Sequence, residues 1–335
     1  MLRSNPHSGS CTQGTHFQVV NSFVMSVSSR STRTTRSRTR AAASRCHLLE
    51  LSHDELGVIV DGFSDPLEPA VVVALGGTCK GLRTPLQPAL SVLEAQHKRA
   101  RRLCRKLRVD CAALRHATEL DMKFYHDFGD EDLATLGLIL RTGGLPRLRA
   151  LDFERFPGSN DALLTFFQDL DVAVPSVTEL NLHDKRLSPH FAHALAVALE
   201  RGALPKLEQV YLGINCFCNE GVAALAAPLR KLPALKELYL FDNDIDDEGV
   251  ASLIADLSKD DFKSLEHLQL DGAALTDTGC TTLITAINRG ALPAMRCMFG
   301  PHAGLSVRNL SFDYSIHDAV KDALKQREAR QRKSE

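Results

Sequence analysis

The chain has 335 residues, 44% of them hydrophobic, enough for one large or two medium domains with substantial cores. Its formal charge of −1 conceals an asymmetry: residues 1–45 hold seven Arg, no Lys and no acid, which leaves 33 of the 40 basic side chains against all 41 acids and a net −8 beyond residue 45. That acidic body argues against nucleic acid as a partner, and no run approaches the roughly 20 apolar residues of a membrane-spanning helix.

Residues 1–45 end in SSRSTRTTRSRTRAAASR. An Arg-rich, Ser-rich, acid-free leader has the composition of an organellar transit peptide, and equally that of an unstructured tail, because so polar a segment buries too little apolar surface to offset its ordering entropy. The first alternative places the protein in an organelle and the second in the cytoplasm or nucleus. The nine Cys, at 11, 46, 79, 104, 111, 216, 218, 280 and 297, lack framework spacing and point to reduced intracellular thiols.

Residues 46–110 change character. Pro66, Pro69, Gly76, Gly77, Pro85 and Pro88 punctuate apolar segments, which predicts several short helices in a small bundle. Leu51, then Asp54, Glu55 and Leu56, Ile59, Asp65 and Pro66, and Cys79, Lys80 and Arg83 follow one another in an order that resembles an F-box over residues 48–84. That resemblance implies docking on a Skp-type adaptor of a cullin-based ubiquitin ligase, with Leu51, Leu56, Ile59 and Pro66 as adaptor-binding residues. His53 replaces the usual Pro of the opening, and the chain has no Trp. The alternative is a helical cap that shields the first unit of a repeat array. The run His97 to Arg108, with seven Lys and Arg, reads as a solvated helix face balanced by acids elsewhere.

From residue 111 onward an L-x-x-L-x-L unit recurs. Its central residues are Leu120, Leu151, Leu180, Val210, Leu238, Leu268 and Met298, spaced by 31, 29, 30, 28, 30 and 30 residues. Apolar residues at helical spacing fill each interval, over 133–140, 162–170, 191–199, 222–229, 250–257 and 280–287. One strand, one turn and one helix cannot bury both apolar faces alone, so the units must stack. RTGGLP and two copies of RGALP mark helix ends.

This repeat resembles the leucine-rich repeats of ribonuclease-inhibitor type over residues 114–300. The resemblance implies an α/β horseshoe solenoid of about seven repeats over residues 111–304, with strands inside and helices outside. Residues 305–335 supply a closing helix from about Ser315 and a charged tail. The family's turn-bonding Asn stands at Asn215 and Asn243, whereas Tyr125, Phe156, Lys185 and Ala273 occupy the other positions, so the fourth and fifth repeats are expected to be the most regular.

Catalytic groups do not converge. Asp242, Asp244, Asp246, Asp247 and Glu248 resemble a calcium loop, but Asp247 stands where Gly is needed and Leu253 where Glu is needed, so these acids read as turn and helix-cap residues. Cys216-x-Cys218 has no second ligand pair, His190 and His193 read as exposed helix residues, and no nucleophile or nucleotide motif occurs. The expectation is a protein without enzymatic activity, metal or cofactor.

Alternate strand residues point away from the core. Among them Tyr211, Tyr239 and Phe241 form an expected aromatic patch, with Glu237, Asp152, Glu154, Glu179 and His267 as a charged surround; together they are the candidate partner-binding residues on the concave face. The function expected is capture of a protein partner, as a ubiquitin-ligase substrate receptor, with a Ran-type GTPase-activating protein or a plain scaffold as alternatives.

Overall fold

The computed structural model describes residues 53–78, 80–121, 127–154, 156–254, 256–258, 260–270, 276–296 and 314–334, all within the unit His47–Glu335. The leader, Leu51, Cys79, Tyr125, Ala273 and Met298 lie outside the described residues. Among the described residues no helix is long and apolar enough to cross a membrane.

Three helices come first: α1 (His53–Phe63), α2 (Ala70–Thr78) and α3 (Lys80–Lys106). The sequence predicts a break at Pro85 and Pro88, but α3 runs through both. Its apolar stripe of Leu82, Leu86, Leu93, Ala100 and Leu103 is fully buried, and this burial outweighs the two backbone donors that proline removes. The far end of α3 belongs to the repeats. Ala100, Leu103, Cys104 and Leu107 pack into one continuous core with Leu148, Leu151 and the strands beyond. At the surface of α3 Arg102 pairs with Glu131 at 3.2 Å, and further along Lys106 pairs with buried Asp132 at 2.5 Å, so acids of the first repeat helix meet the basic run.

A short helix α4 (Cys111–Arg115) leads into alternating strands and helices: β1 (Glu119–Asp121), α5 (Asp130–Arg141), β2 (Ala150–Asp152), α6 (Asn160–Gln168), β3 (Glu179–Asn181) and α7 (Pro189–Glu200). β4 (Gln209–Tyr211), α8 (Cys218–Arg230), β5 (Glu237–Tyr239), α9 (Asp247–Ile254), β6 (His267–Gln269), α10 (Asp277–Asn288) and α11 (Tyr314–Ser334) complete the order. The six strands form one parallel sheet in sequence order. Leu120, Leu151, Leu180, Val210, Leu238 and Leu268 stand side by side in its register and are buried, so six of the seven markers fall at strand centres.

Several repeat helices start before their first apolar residue, at a side-chain cap. The Ser159 hydroxyl accepts from the Ala162 N–H at 3.1 Å, and the Asp246 carboxylate accepts from the Glu248 N–H at 2.8 Å. Asp246 therefore serves a helix start, as the sequence predicts for this run of acids. At the other end, Gly143, Gly202 and Gly290 adopt φ of 71°, 78° and 82°, and the Ala203 and Ala291 N–H groups return to the Ala198 and Ala286 carbonyls. These are Schellman closures, which glycine accommodates without steric cost.

The turns after β4 and β5 are held by Asn215 and Asn243. The Asn215 amide donates to the Leu182 and Leu212 carbonyls, each at 2.9 Å, while its oxygen accepts from Leu187 N–H. Asn243 repeats this toward Leu212 and Leu240 at 2.8 and 3.0 Å. In the third repeat Lys185 substitutes: its Nζ donates to the Phe156 carbonyl at 2.7 Å and lies 5.6 Å from the Phe156 ring centre. Burial lowers the Lys185 pKa, with Asp184 opposing. Earlier still, phenylalanines replace polar turn bonding, as Phe153 meets Phe156, Phe166 and Phe167 edge-on at 5.5 to 6.2 Å.

Candidate functional site

The side of the sheet opposite the helices carries the site. On β2 to β6 the central residue is buried and both neighbours are half-buried, so period-two alternation sets two outward rows. In one row Asn181, Tyr211, Tyr239 and Gln269 are in register; in the other Glu179, Gln209, Glu237 and His267 are.

Register places the two tyrosines one strand apart, and their rings stack with centroids 4.7 Å apart and planes inclined by 9°. The Tyr239 hydroxyl donates to a Glu237 carboxylate oxygen at 2.8 Å, which fixes that ring relative to its own strand. Burial pushes the Tyr211 phenol above its ordinary pKa, and the negative charges of Glu237 and Glu179 push the same way. The tyrosine pair thus stands in a negative field.

Just beyond the strands, Phe241 turns sideways. A Cβ at Gly213 would come within 2.5 Å of the Phe241 ring, so the ring lies over the bare backbone of the neighbouring repeat. It reaches His183 on the repeat before that, with ring centroids 5.4 Å apart. Tyr211, Tyr239, Phe241, Glu237 and Glu179 are therefore gathered over three adjacent repeats. Asp152 and Glu154 stand one repeat before Glu179, where Asp152 accepts from the Glu154 N–H at 2.9 Å and closes its own turn. His267 stands on β6 beside Glu237.

His183 and Gly213 complete the patch; strand alternation places both outward, but neither was among the candidate partner-binding residues. The available signal was a glycine at an outward strand-end position beside large residues, which marks a close approach of another group.

Of the predicted adaptor-binding residues that are described, Leu56 and Pro66 are buried and Ile59 is half-buried. The Pro66 carbonyl accepts from His97 Nδ1 at 2.7 Å, and Asp65 forms an ion pair with Arg115 of α4, which also lies 3.4 Å from Glu68. The exposed large apolar residues of this region are instead Val73 on α2 and Val92 on α3.

His190 and His193 are exposed on α7, and His193 stands 3.5 Å from Glu220. Cys216 is exposed, and Cys218 opens α8. Among the described residues no cluster of His, Cys, Asp or Glu has the makings of a metal site.

Residues 231–253, spanning β5 and most of α9, match the family described as leucine rich repeat. No curated protein matches the chain. Among solved structures, a leiomodin-1 structure described as actin-binding site 2 is similar at 15% identity and a TM-score of 0.37, over 52% of this chain and 92% of that one. Residues 231–253 are thus leucine-rich repeat sequence, set in a sheet whose neighbouring strands repeat the same register.

Proposed function

We propose that this protein is a non-catalytic binding solenoid of ribonuclease-inhibitor type, with about seven repeats bent into a horseshoe, and that it captures a protein partner on the concave, strand-lined face. The observation that carries this reading is the Tyr211–Tyr239 stack on the outward side of the sheet, flanked by Glu237 and Glu179 and extended by Phe241. Stacked aromatics expose large, rigid area at low entropic cost, which is the composition of binding hot spots. Quantitative capture from cell extract tests it: Tyr211→Ala with Tyr239→Ala should deplete the specific partners, and an unchanged capture profile from a folded double variant moves the site elsewhere.

A second reading adds an adaptor to the same molecule. In it, the F-box-like helices recruit a Skp-type adaptor and the sheet face holds the substrate of a cullin-based ubiquitin ligase. The exposed Val73 and Val92 on adjacent helices favour it, because they offer apolar contact that the core does not use. Purified adaptor mixed with the full chain decides it: binding lost on Val73→Asp with Val92→Asp supports recruitment, and no binding at low salt leaves the helices as a cap.

A further inference from the structure

Resting on the sheet-face reading above, we propose that the Tyr211–Tyr239 face is a guanidinium receptor, so that the partner anchors there through an arginine side chain.

Four features converge on that chemistry. The two phenol rings are parallel and half-exposed, and an aromatic face attracts a cation through its quadrupole. Two carboxylates stand in the adjacent outward row, Glu179 on β3 and Glu237 on β5, with uncharged Gln209 between; two strand spacings put those positions about 10 Å apart. The field they create is registered by the Tyr211 phenol, whose ionisation burial, Glu237 and Glu179 all disfavour. On the far side of the tyrosine row from these charges, Phe241 lies over Gly213 and reaches His183, a floor on which a methylene stem can lie.

Arginine fits this arrangement better than lysine. The guanidinium is planar, delocalised and weakly hydrated, so it stacks on a ring and still presents paired N–H donors to a carboxylate. An ammonium is a compact and strongly hydrated point charge that loses more water for the same contact. Two lysines of these repeats are already committed: Lys236 binds Glu208 at 2.6 Å and Lys185 binds the Phe156 carbonyl at 2.7 Å.

The site also separates charge from shape. Glu237 accepts the Tyr239 hydroxyl through one carboxylate oxygen, and glutamine retains an oxygen for that bond. Glu237→Gln therefore removes the negative charge and leaves the ring in place.

The test uses the full chain with isotope-labelled tyrosine rings. The sequence has four tyrosines and no tryptophan, so the ring signals of Tyr125, Tyr211, Tyr239 and Tyr314 are few enough to assign by single substitution. The probe is the peptide acetyl-Gly-Arg-Gly-Arg-Gly-amide, compared with its lysine and its citrulline counterparts. The arginine peptide should shift the Tyr211 and Tyr239 rings, the lysine peptide should bind about threefold to fivefold more weakly, and the neutral citrulline peptide should give no saturable shift. Glu237→Gln and Glu179→Gln should each weaken the arginine peptide severalfold with the tyrosine stack intact. Equal binding of arginine and citrulline peptides, shifts confined to Tyr125 and Tyr314, or no response to the arginine peptide overturns the proposal. Partner capture from extract keeps the two readings apart. If Tyr211→Ala with Tyr239→Ala still abolishes capture while the arginine peptide fails, the sheet face stands and the guanidinium assignment falls; if capture is also unchanged, both fall.

Discussion

The Phe241 ring occupies the space that a side chain at Gly213 would take, with a built Cβ at 2.5 Å from the ring edge. This contact carries the patch across a repeat boundary, because Phe241 can reach His183 only over a position without a side chain. Gly213→Ala should therefore displace Phe241 from the face. The clash is with the far end of a movable side chain, so global stability should change by less than about 1 kcal/mol in urea unfolding. Partner or probe affinity should fall by about 1 kcal/mol or more. Unaltered affinity with unaltered stability would show that Phe241 contributes nothing to binding.

Turn bonding predicts an order of destabilisation along the stack. Asn243 is buried and donates to the Leu212 and Leu240 carbonyls; Leu212 keeps its bond from Asn215, but Asn243→Ala takes the amide away from Leu240 and should cost about 2 to 3 kcal/mol. Lys185→Met keeps the stem packed on Phe156 and removes one bond at a half-exposed site, so about 1 kcal/mol is expected. Chemical denaturation of the two variants should preserve that order, and a larger loss from Lys185→Met would contradict it.

The far end of the stack depends on Arg327. Its guanidinium, buried on α11, donates to the Leu292 carbonyl at 2.7 Å and to the Met295 carbonyl, while Val320, Ala323 and Leu324 pack into the repeat core. Arg327→Ala should loosen this cap by about 2 kcal/mol and speed amide exchange in α10 and α11, with α5 to α7 unaffected. Exchange that rises uniformly along the chain instead would place Arg327 in a single cooperative unit with all the repeats.

Cys104 and Cys111 lie with sulfurs 3.4 Å apart where α3 meets α4. Burial, followed by the hydrogen bond to Cys111, pushes the Cys104 thiol up to about 12. Below that pH the thiol stays protonated, and a protonated buried thiol is a poor nucleophile. Iodoacetamide at pH 8 followed by peptide mass spectrometry should label exposed Cys216 well before Cys104. Early labelling of Cys104 in the native protein would mean that the α3–α4 junction opens readily.

Much of this architecture was legible in the sequence because stacking forces a period. Leu120, Leu151, Leu180, Val210, Leu238 and Leu268 all occupy strand centres because each can be buried only against its neighbours in register. The outward tyrosines followed from strand alternation, and Asn215 and Asn243 from their place in the turn after each strand. Three things were hidden. Phe241 folding across Gly213 is a contact between repeats with no periodic signature. Lys185, at the position of the asparagines, bonds instead to the Phe156 carbonyl in the preceding repeat's turn. Pro85 and Pro88 read as breaks, yet the burial of Leu82, Leu86 and Leu93 keeps α3 continuous.

The most direct test of the sheet-face account compares two folded double variants in one quantitative capture experiment: Tyr211→Ala with Tyr239→Ala on the sheet, and Val73→Asp with Val92→Asp on the helices. The account predicts that the tyrosine pair alone removes the partners held by the repeats, with affinity reduced by about 2 kcal/mol or more. Loss of those same partners only from the valine pair, with the tyrosine pair binding as the unaltered chain does, would contradict it.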